Sequence, residues 1–231
     1  MTDALTKEID WGEVSEAFDA LKKFIVGKDD LSNDSEAQTR FDLIDRMIRE
    51  VLAWKHGQVF VEAPDTGPKR GYIDYLLRAG DTSVVIEAKK SGASFPSPTK
   101  RKKLKITGVV LGTGEIADAI SQAREYALSK NSDVVVVTNG ICWCYFIPED
   151  EIEDAYAGLL FPFDVDGDAE TLFDLFSSAK VGKGSLEVVD NTRPPSPENR
   201  LLSEVRDADA RVDRNNIADP HRASTRQSIV R

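Results

Sequence analysis

The stretch GYIDYLLRAGDTSVVIEAKK, residues 71–90, decides how this chain folds. It holds two short apolar segments, residues 71–78 and 83–89, on either side of a Gly-Asp turn. Segments of this length, rich in β-branched and aromatic residues and bounded by turn residues, are typical of paired antiparallel strands. Asp74 lies within the first segment, and Glu87 and Lys89 close the second. The sequence therefore predicts a hairpin that carries charged side chains within apolar strands.

These three charged side chains are predicted to lie close together. Because strand side chains alternate, Glu87 and Lys89 face the same side of the sheet, and a hairpin can put Asp74 opposite them. A buried charge without a partner is costly, so the arrangement needs an explanation. One explanation is a Glu-Lys or Asp-Lys ion pair at the edge of the sheet. The other is a divalent metal site, since Mg²⁺ takes one or two carboxylates and fills its other positions with water and phosphate.

The sequence before the hairpin predicts a helix and a further strand. Ser35 and Gln38 have the spacing of a capping box, and an apolar stripe follows at helical spacing. We expect a helix over residues 36–54 and a strand over residues 58–63. Another amphipathic helix is predicted near the N-terminus.

The sequence after the hairpin predicts a helix and two more strands. Residues 115–129 have the pattern of a helix, and residues 133–138 (DVVVVT) are apolar throughout, as in a strand covered on both faces. Asn139-Gly140 followed by ICWCYFI predicts a second hairpin. The core order is therefore α-β-β-β-α-β-β, an α/β fold with a mixed β-sheet flanked by helices.

The remaining segments have weaker patterns. Residues 90–113 are predicted to form a long exposed loop, residues 168–179 a short helix and residues 185–189 a strand. We expect four regions: an N-terminal flanking helix (1–33), the core (34–147), an acidic C-terminal extension packed on the core (148–190), and a linker with a charged, partly disordered tail (191–231).

Charge is segregated along the 231-residue chain. Lys and Arg number 30 and Asp and Glu 40, which gives a net charge of -10. This balance excludes a uniformly basic nucleic-acid binder but not a local basic patch. The whole excess lies in ten acids without a Lys or Arg among them: Glu149, Asp150, Glu151, Glu153, Asp154, Asp164, Asp166, Asp168, Glu170 and Asp174. Seven bases and no acid occur between Ala88 and Lys105.

Cysteine content and hydropathy favour a cytoplasmic protein that does not enter a membrane. Cys142 and Cys144 are the only cysteines, and their spacing on a strand makes them core residues rather than a disulfide or half of a zinc site. No apolar run approaches the 18 residues expected of a membrane span, and the N-terminus lacks the pattern of a signal peptide.

Asp74, followed by Glu87 and Lys89 on the next predicted strand, resembles the motif of the PD-(D/E)XK nuclease superfamily. In that superfamily an Asp and a Glu-x-Lys lie on adjacent strands. The segment SEAQTRFDLIDRMIREVLAW, with Glu36 and Arg40, is similar to the opening helix of the nuclease domain of type I restriction enzyme R subunits. The segment QAREYALSKNSDVVVVTNGICWCYF, with Gln122 and Tyr126, is similar to the Gln-x-x-x-Tyr helix and hairpin of the same family. The resemblance covers residues 34–147 and implies a restriction-endonuclease-like fold.

The resemblance implies a role for each matching residue. Asp74 and Glu87 would hold Mg²⁺, for which Mn²⁺ can substitute, and Glu36 would support the metal from the start of its helix. Lys89 would act on the attacking water or on the charge that develops at phosphorus. Gln122 would position Lys89 or the nucleic-acid backbone. Tyr126, one turn further along, is explained equally by packing or by function.

A second set of residues is expected to contact the phosphates of a nucleic acid, where each cation adds a salt-dependent contribution to binding. The alternative is a solvated loop without a ligand. The expected contacts are Arg40, Lys90, Lys100, Arg101, Lys102, Lys103 and Lys105.

The function expected from the resemblance is Mg²⁺-dependent hydrolysis of phosphodiester bonds. We expect a DNA endonuclease of a prokaryotic restriction or anti-phage system, acting as a homo-oligomer or within a larger defence protein or complex, with RNA left open as a substrate. The alternative is a nuclease fold that has lost catalysis and serves nucleic-acid binding or assembly. Retention of Asp74, Glu87 and Lys89 together favours catalysis.

Overall fold

A seven-stranded mixed β-sheet lies at the centre of the molecule, with helices on both faces. The computed structural model describes residues 9–28, 30–64, 72–98, 102–149, 151–165 and 167–189, so the predicted linker and tail lie outside the described residues. The helices are α1 (Trp11–Gly27), α2 (Glu36–Thr39), α3 (Gly114–Lys130), α4 (Ala169–Phe176) and α5 (Ser178–Val181). The strands are β1 (Val59–Pro64), β2 (Tyr72–Ala79), β3 (Thr82–Ala88), β4 (Lys103–Lys105), β5 (Val134–Thr138), β6 (Trp143–Phe146) and β7 (Tyr156–Leu160). The predicted α/β class is confirmed.

The helix before the sheet begins as expected but continues with a different geometry. The Ser35 hydroxyl accepts a hydrogen bond from the Gln38 amide at 3.1 Å, which is half of the predicted capping box. After α2 the chain continues through two π-helical segments, Arg40–Ile44 and Met47–Val51. The apolar stripe predicted a regular helix and carried no signal for the wider turn. Such turns are rare and often occur at functional sites.

The order of the strands in the sheet is β1-β2-β3-β5-β6-β7-β4. β2 and β3 form the predicted antiparallel hairpin, in which Tyr75 pairs with Ile86. β3 then runs parallel to β5, so that Glu87 pairs with Val137, and α3 makes the crossover between the two strands. Both neighbours of β3 are therefore fixed, one by a hairpin and the other by a crossover.

Both faces of the sheet are covered. α1, the π-helical segments and α4 pack on one face, and α3 packs on the other. The apolar residues of β3 and β5 alternate between the two cores, as a strand covered on both faces requires: Val84, Ile86, Val134 and Val136 in the first, and Val85, Val135 and Val137 in the second. In the part of the chain that the structure describes, no helix is long and apolar enough to cross a lipid bilayer.

The Asn139-Gly140 turn joins β5 to β6, which pair antiparallel as predicted. The Asn139 side-chain oxygen accepts hydrogen bonds from the amides of Ile141 and Cys142, at 3.1 and 2.9 Å. Gly140 has a φ of +86°, and a Cβ there would approach the Leu43 side chain to 2.8 Å. Glycine is therefore required for both backbone conformation and packing.

The prediction of one exposed loop over residues 90–113 is wrong in its second half. Residues 103–105 form β4, which pairs with β7, and Leu104, Ile106 and Leu111 are buried. The sequence KLK has a single apolar residue between two lysines, too short for a period of two to be recognised. β7 itself comes from the acidic region, where no strand was predicted.

The C-terminal predictions also need correction. Residues 185–189 do not form a strand: Ser185–Val188 is a 3₁₀ turn that follows Gly184, whose φ is +87°. The helix predicted over residues 168–179 is divided into α4 and α5 at Ser177, where the backbone is extended.

Gly158→Ala is expected to lower the free energy of unfolding by about 1 to 3 kcal/mol, as overpacking of a core does. A Cβ at Gly158 would lie 2.2 Å from Cζ of Tyr145, whose ring is held edge-on against Phe176. Urea unfolding measures the change. Gly57→Ala is the matched control because nothing lies within 4 Å of its added Cβ. Equal stability of the two variants would contradict the packing described for β6 and β7.

Candidate active site

The charged residues of the β2–β3 hairpin meet at the end of β3. Tyr75 pairs with Ile86, so Asp74 and Glu87 lie one step beyond that pair and face each other across the two strands. One Asp74 oxygen, Oδ2, accepts a hydrogen bond from the Ala88 amide at 2.9 Å. The strand register thus brings the two carboxylates together, as the sequence pattern predicts.

Glu87 is the most deeply buried charged group of the site. Its side chain is 2% exposed, and Oε1 accepts a hydrogen bond from the Lys89 ammonium at 2.6 Å. The other oxygen, Oε2, is buried and has no hydrogen-bond partner among the described residues. Burial, to which the charge of Asp74 adds, raises the pKa of Glu87 to about 7 even though Lys89 opposes the shift.

Lys89 remains protonated at neutral pH. Burial lowers the pKa of its ammonium, but the hydrogen bond to Glu87 and the charges of Glu87, Glu36 and Asp74 outweigh burial, so the pKa is raised above its ordinary value. A protonated lysine cannot accept a proton from water. It can donate hydrogen bonds and stabilise negative charge.

Asp74 is held from the opposite side by Arg40, the first residue of the first π-helical segment. The Arg40 Nη1 lies 3.1 Å from Asp74 Oδ1, and its Nε donates to the Tyr75 hydroxyl at 3.2 Å. The Tyr75 hydroxyl donates in turn to Asp45 at 2.9 Å. The Arg40 side chain is only 17% exposed. The structure therefore directs Arg40, expected as a nucleic-acid contact, toward the Asp74 carboxylate.

Glu62 is a site residue that the sequence pattern did not reveal. It lies on β1 between Val61 and Ala63, which pair with Tyr75 and Ile73, but Glu62 and Asp74 themselves are not paired. The φ of Glu62 is +50°, an uncommon value for a residue with a side chain. Its carboxylate oxygen lies 3.6 Å from Arg40 Nη1 and its side chain is 67% exposed. Sequence offers no signal here, because Glu62 occupies an ordinary position in an alternating strand.

The turn after Lys89 is fixed by contacts that were also missed. The Ser91 amide donates to the buried Thr39 hydroxyl at 2.9 Å, and the Asn139 side-chain amide donates to the Ser91 carbonyl at 3.2 Å. A Cβ on Gly92 would approach the Ser32 carbonyl oxygen to 2.3 Å, so this position needs glycine. These contacts hold the turn after β3 against the last residue of α2 and against the segment that precedes this helix.

The other expected site residues differ in how closely they join this group. Glu36, the first residue of α2, is exposed but near enough to act electrostatically on both Glu87 and Lys89. Gln122 is exposed on α3 and is not among the hydrogen-bond partners of Lys89 in the described residues. Tyr126 is buried in the core beneath α3, which favours packing over function.

The fit of Mg²⁺ depends on Glu87 Oε2. This buried oxygen lacks a partner among the described residues, and carboxylate oxygens are the ligands that Mg²⁺ prefers. Within the described ranges, no group of three or more acidic, His or Cys side chains is close enough to hold a metal. Two carboxylates with water and phosphate in the other positions are sufficient for Mg²⁺, so the residues present fit the ion.

In the basic segment, residues 90–105, the described bases Lys102, Lys103 and Lys105 lie away from this site. β4 is four strands from β3 in the sheet order, or about 19 Å at the usual strand spacing. Lys102 pairs with Asp168 at 2.6 Å and Lys105 with Asp154 at 2.9 Å. The Lys103 ammonium lies over the ring of Tyr156 and Lys90 is 4.0 Å from Glu115, while Lys100 and Arg101 lie outside the described residues. The acidic extension thus neutralises part of the basic segment.

Comparison with protein-family models, with curated proteins and with solved structures finds no match for this chain. The resemblance to PD-(D/E)XK nucleases therefore depends on the residues quoted for it.

Glu87→Gln is expected to raise the free energy of unfolding by up to about 3 kcal/mol at pH 8 in a chelator, since the pKa of Glu87 is raised from 4.5 to about 7 and each pKa unit corresponds to about 1.4 kcal/mol. The folded state must ionise a buried Glu87 that the unfolded state ionises freely. A raised pKa means that stability is lost as pH rises from about 4.5 toward about 7, so the advantage of the variant shrinks toward pH 5.

Thermal or urea unfolding at both pH values measures this difference. The matched control is Glu151→Gln at an exposed position, which we expect to leave stability unchanged. A variant that is less stable than the wild type at pH 8 would contradict the assignment of Glu87 as a destabilising buried charge.

Proposed function

We propose that this chain is a Mg²⁺-dependent nuclease domain that hydrolyses phosphodiester bonds, with DNA as its substrate. The observation that carries the proposal is the Glu87 carboxylate, which is 2% exposed, held at one oxygen by Lys89, and without a partner at the other. Buried polar atoms in folded proteins almost always have partners, so an unsatisfied carboxylate oxygen indicates a ligand.

A structural ion pair does not account for the site equally well. Lys89 satisfies only Oε1, while Asp74 adds a second negative charge that raises the pKa of Glu87. Two carboxylates brought this close repel each other unless a cation lies between them. An ion pair that served only stability would give both Glu87 oxygens a hydrogen-bond partner. It would not place a second carboxylate, that of Asp74, opposite them.

Asp74 and Glu87 are the residues that would hold the ion. When bound, a divalent cation lowers the pKa of a coordinated water and neutralises the charge that develops on the phosphoryl oxygens. Hydrolysis adds water across the phosphorus–oxygen bond, which leaves a hydroxyl on phosphorus and a proton on the departing oxygen. Lys89, protonated and hydrogen-bonded to Glu87, donates to a phosphoryl oxygen and stabilises its charge. The turn at Ser91 keeps Lys89 in place during this step.

A narrower proposal concerns the biological setting. The resemblance to type I restriction enzyme R subunits supports a DNA endonuclease effector of a prokaryotic restriction or anti-phage system, acting as a homo-oligomer or within a larger complex. Two free, buried cysteines are compatible with the cytoplasm, where such systems act.

The proposal is tested by incubating the purified full chain with supercoiled plasmid and with single-stranded DNA, in Mg²⁺, Mn²⁺ or EDTA. We expect cleavage in either metal, and a loss of about 100-fold or more in Asp74→Asn, Glu87→Gln and Lys89→Met. Asp81→Asn, in the turn at the other end of the same hairpin, is the matched control and should cleave like the wild type.

Equal cleavage by all variants would show that another site or a contaminant is responsible. DNA binding without cleavage in any metal would favour the alternative, a nuclease fold that binds nucleic acid without catalysis.

A further inference from the structure

Arg40 lies between two carboxylates of different exposure. Its Nη1 atom is 3.1 Å from Asp74 Oδ1 and 3.6 Å from Glu62 Oε1. The Asp74 side chain is 15% exposed and that of Glu62 is 67% exposed. A small movement of the guanidinium end would exchange one partner for the other.

The Nε end of the Arg40 guanidinium is held by Tyr75. Its Nε donates to the Tyr75 hydroxyl at 3.2 Å, and its guanidinium carbon lies 5.0 Å from the centre of the Tyr75 ring. Asp45 accepts from the same hydroxyl at 2.9 Å and so holds Tyr75 in place. Rotation about the Cδ–Nε bond leaves Nε in place and moves the Nη end, which faces Asp74 and Glu62, from one carboxylate toward the other.

The backbone of β1 is in an unfavourable conformation at Glu62, where φ is +50°. A left-handed φ on a residue with a side chain is unfavourable and persists where surrounding structure imposes it, often at functional sites. In β1 this positive φ belongs to Glu62. Glu62 lies opposite Asp74 and is the one β1 residue that is not paired with β2.

We propose that Glu62 is a positioning residue that takes over Arg40 when a divalent cation binds Asp74 and Glu87. The inference rests on the proposed function, because it requires the cation site. A cation at Asp74 repels the guanidinium 3.1 Å away from Oδ1, and an arginine displaced without a partner would be left partly buried and unpaired. Glu62 supplies that partner, so it favours cation binding without touching the cation.

The test is Mn²⁺ binding by the full chain, measured by titration calorimetry without nucleic acid. The four proteins are the wild type, Glu62→Gln, Arg40→Met and the double variant. We expect Glu62→Gln to weaken Mn²⁺ binding about five-fold in the wild-type background and to have no effect in the Arg40→Met background, as coupled neighbours do. Glu50→Gln, which removes an exposed partner of Arg46, is the matched control and should bind Mn²⁺ like the wild type.

Each other outcome overturns the inference. The same loss in both backgrounds would mean that Glu62 acts on the cation directly, and no loss in either would mean that Arg40 does not compete for Asp74. In both cases the proposed metal site survives, whereas a wild type that binds no Mn²⁺ would remove the proposed function as well. Circular dichroism checks folding, and Arg40→Gln replaces Arg40→Met where the latter does not fold.

Discussion

The position of β3 between β2 and β5 determines where the charged residues and the covering helices lie. The hairpin with β2 brings Asp74 opposite Glu87, and the parallel pairing with β5 buries the other side of the strand. Parallel pairing requires a crossover, which α3 supplies, and α3 in turn covers one face of the sheet. The site is therefore placed at the end of a largely buried strand, where electrostatic interactions are stronger than in bulk water.

The same position of β3 makes the site unfavourable for stability. Glu87 is enclosed by the elements that form the core, and Lys89 compensates only one of its oxygens. Natural proteins keep destabilising groups of this kind where function needs them. On the other side of the hairpin, Arg40 offsets part of the charge of Asp74, so that in the absence of an added cation each carboxylate is held by one basic side chain.

Much of the fold could be predicted because its causes are local. The β2–β3 hairpin, the apolar strand β5 and the Asn139-Gly140 turn each follow from residues that are close in sequence. The approach of Asp74 to Glu87 was predictable for the same reason, since it needs only strand alternation and one hairpin. Glu62 was not predictable, because the residues on either side of it signal neither its positive φ nor its approach to Arg40. Strand β4 was not predicted, because its pairing partner β7 lies about 50 residues away along the chain, within an acidic region.

The proposed function requires that a divalent cation bind between Asp74 and Glu87. The most direct measurement is a crystal structure of the protein in Mn²⁺ with anomalous diffraction data. We expect an anomalous peak within about 2.5 Å of Glu87 Oε2 and of one Asp74 carboxylate oxygen. Saturating Mn²⁺ with no peak between these two residues, or with peaks only at exposed acids elsewhere, would contradict it.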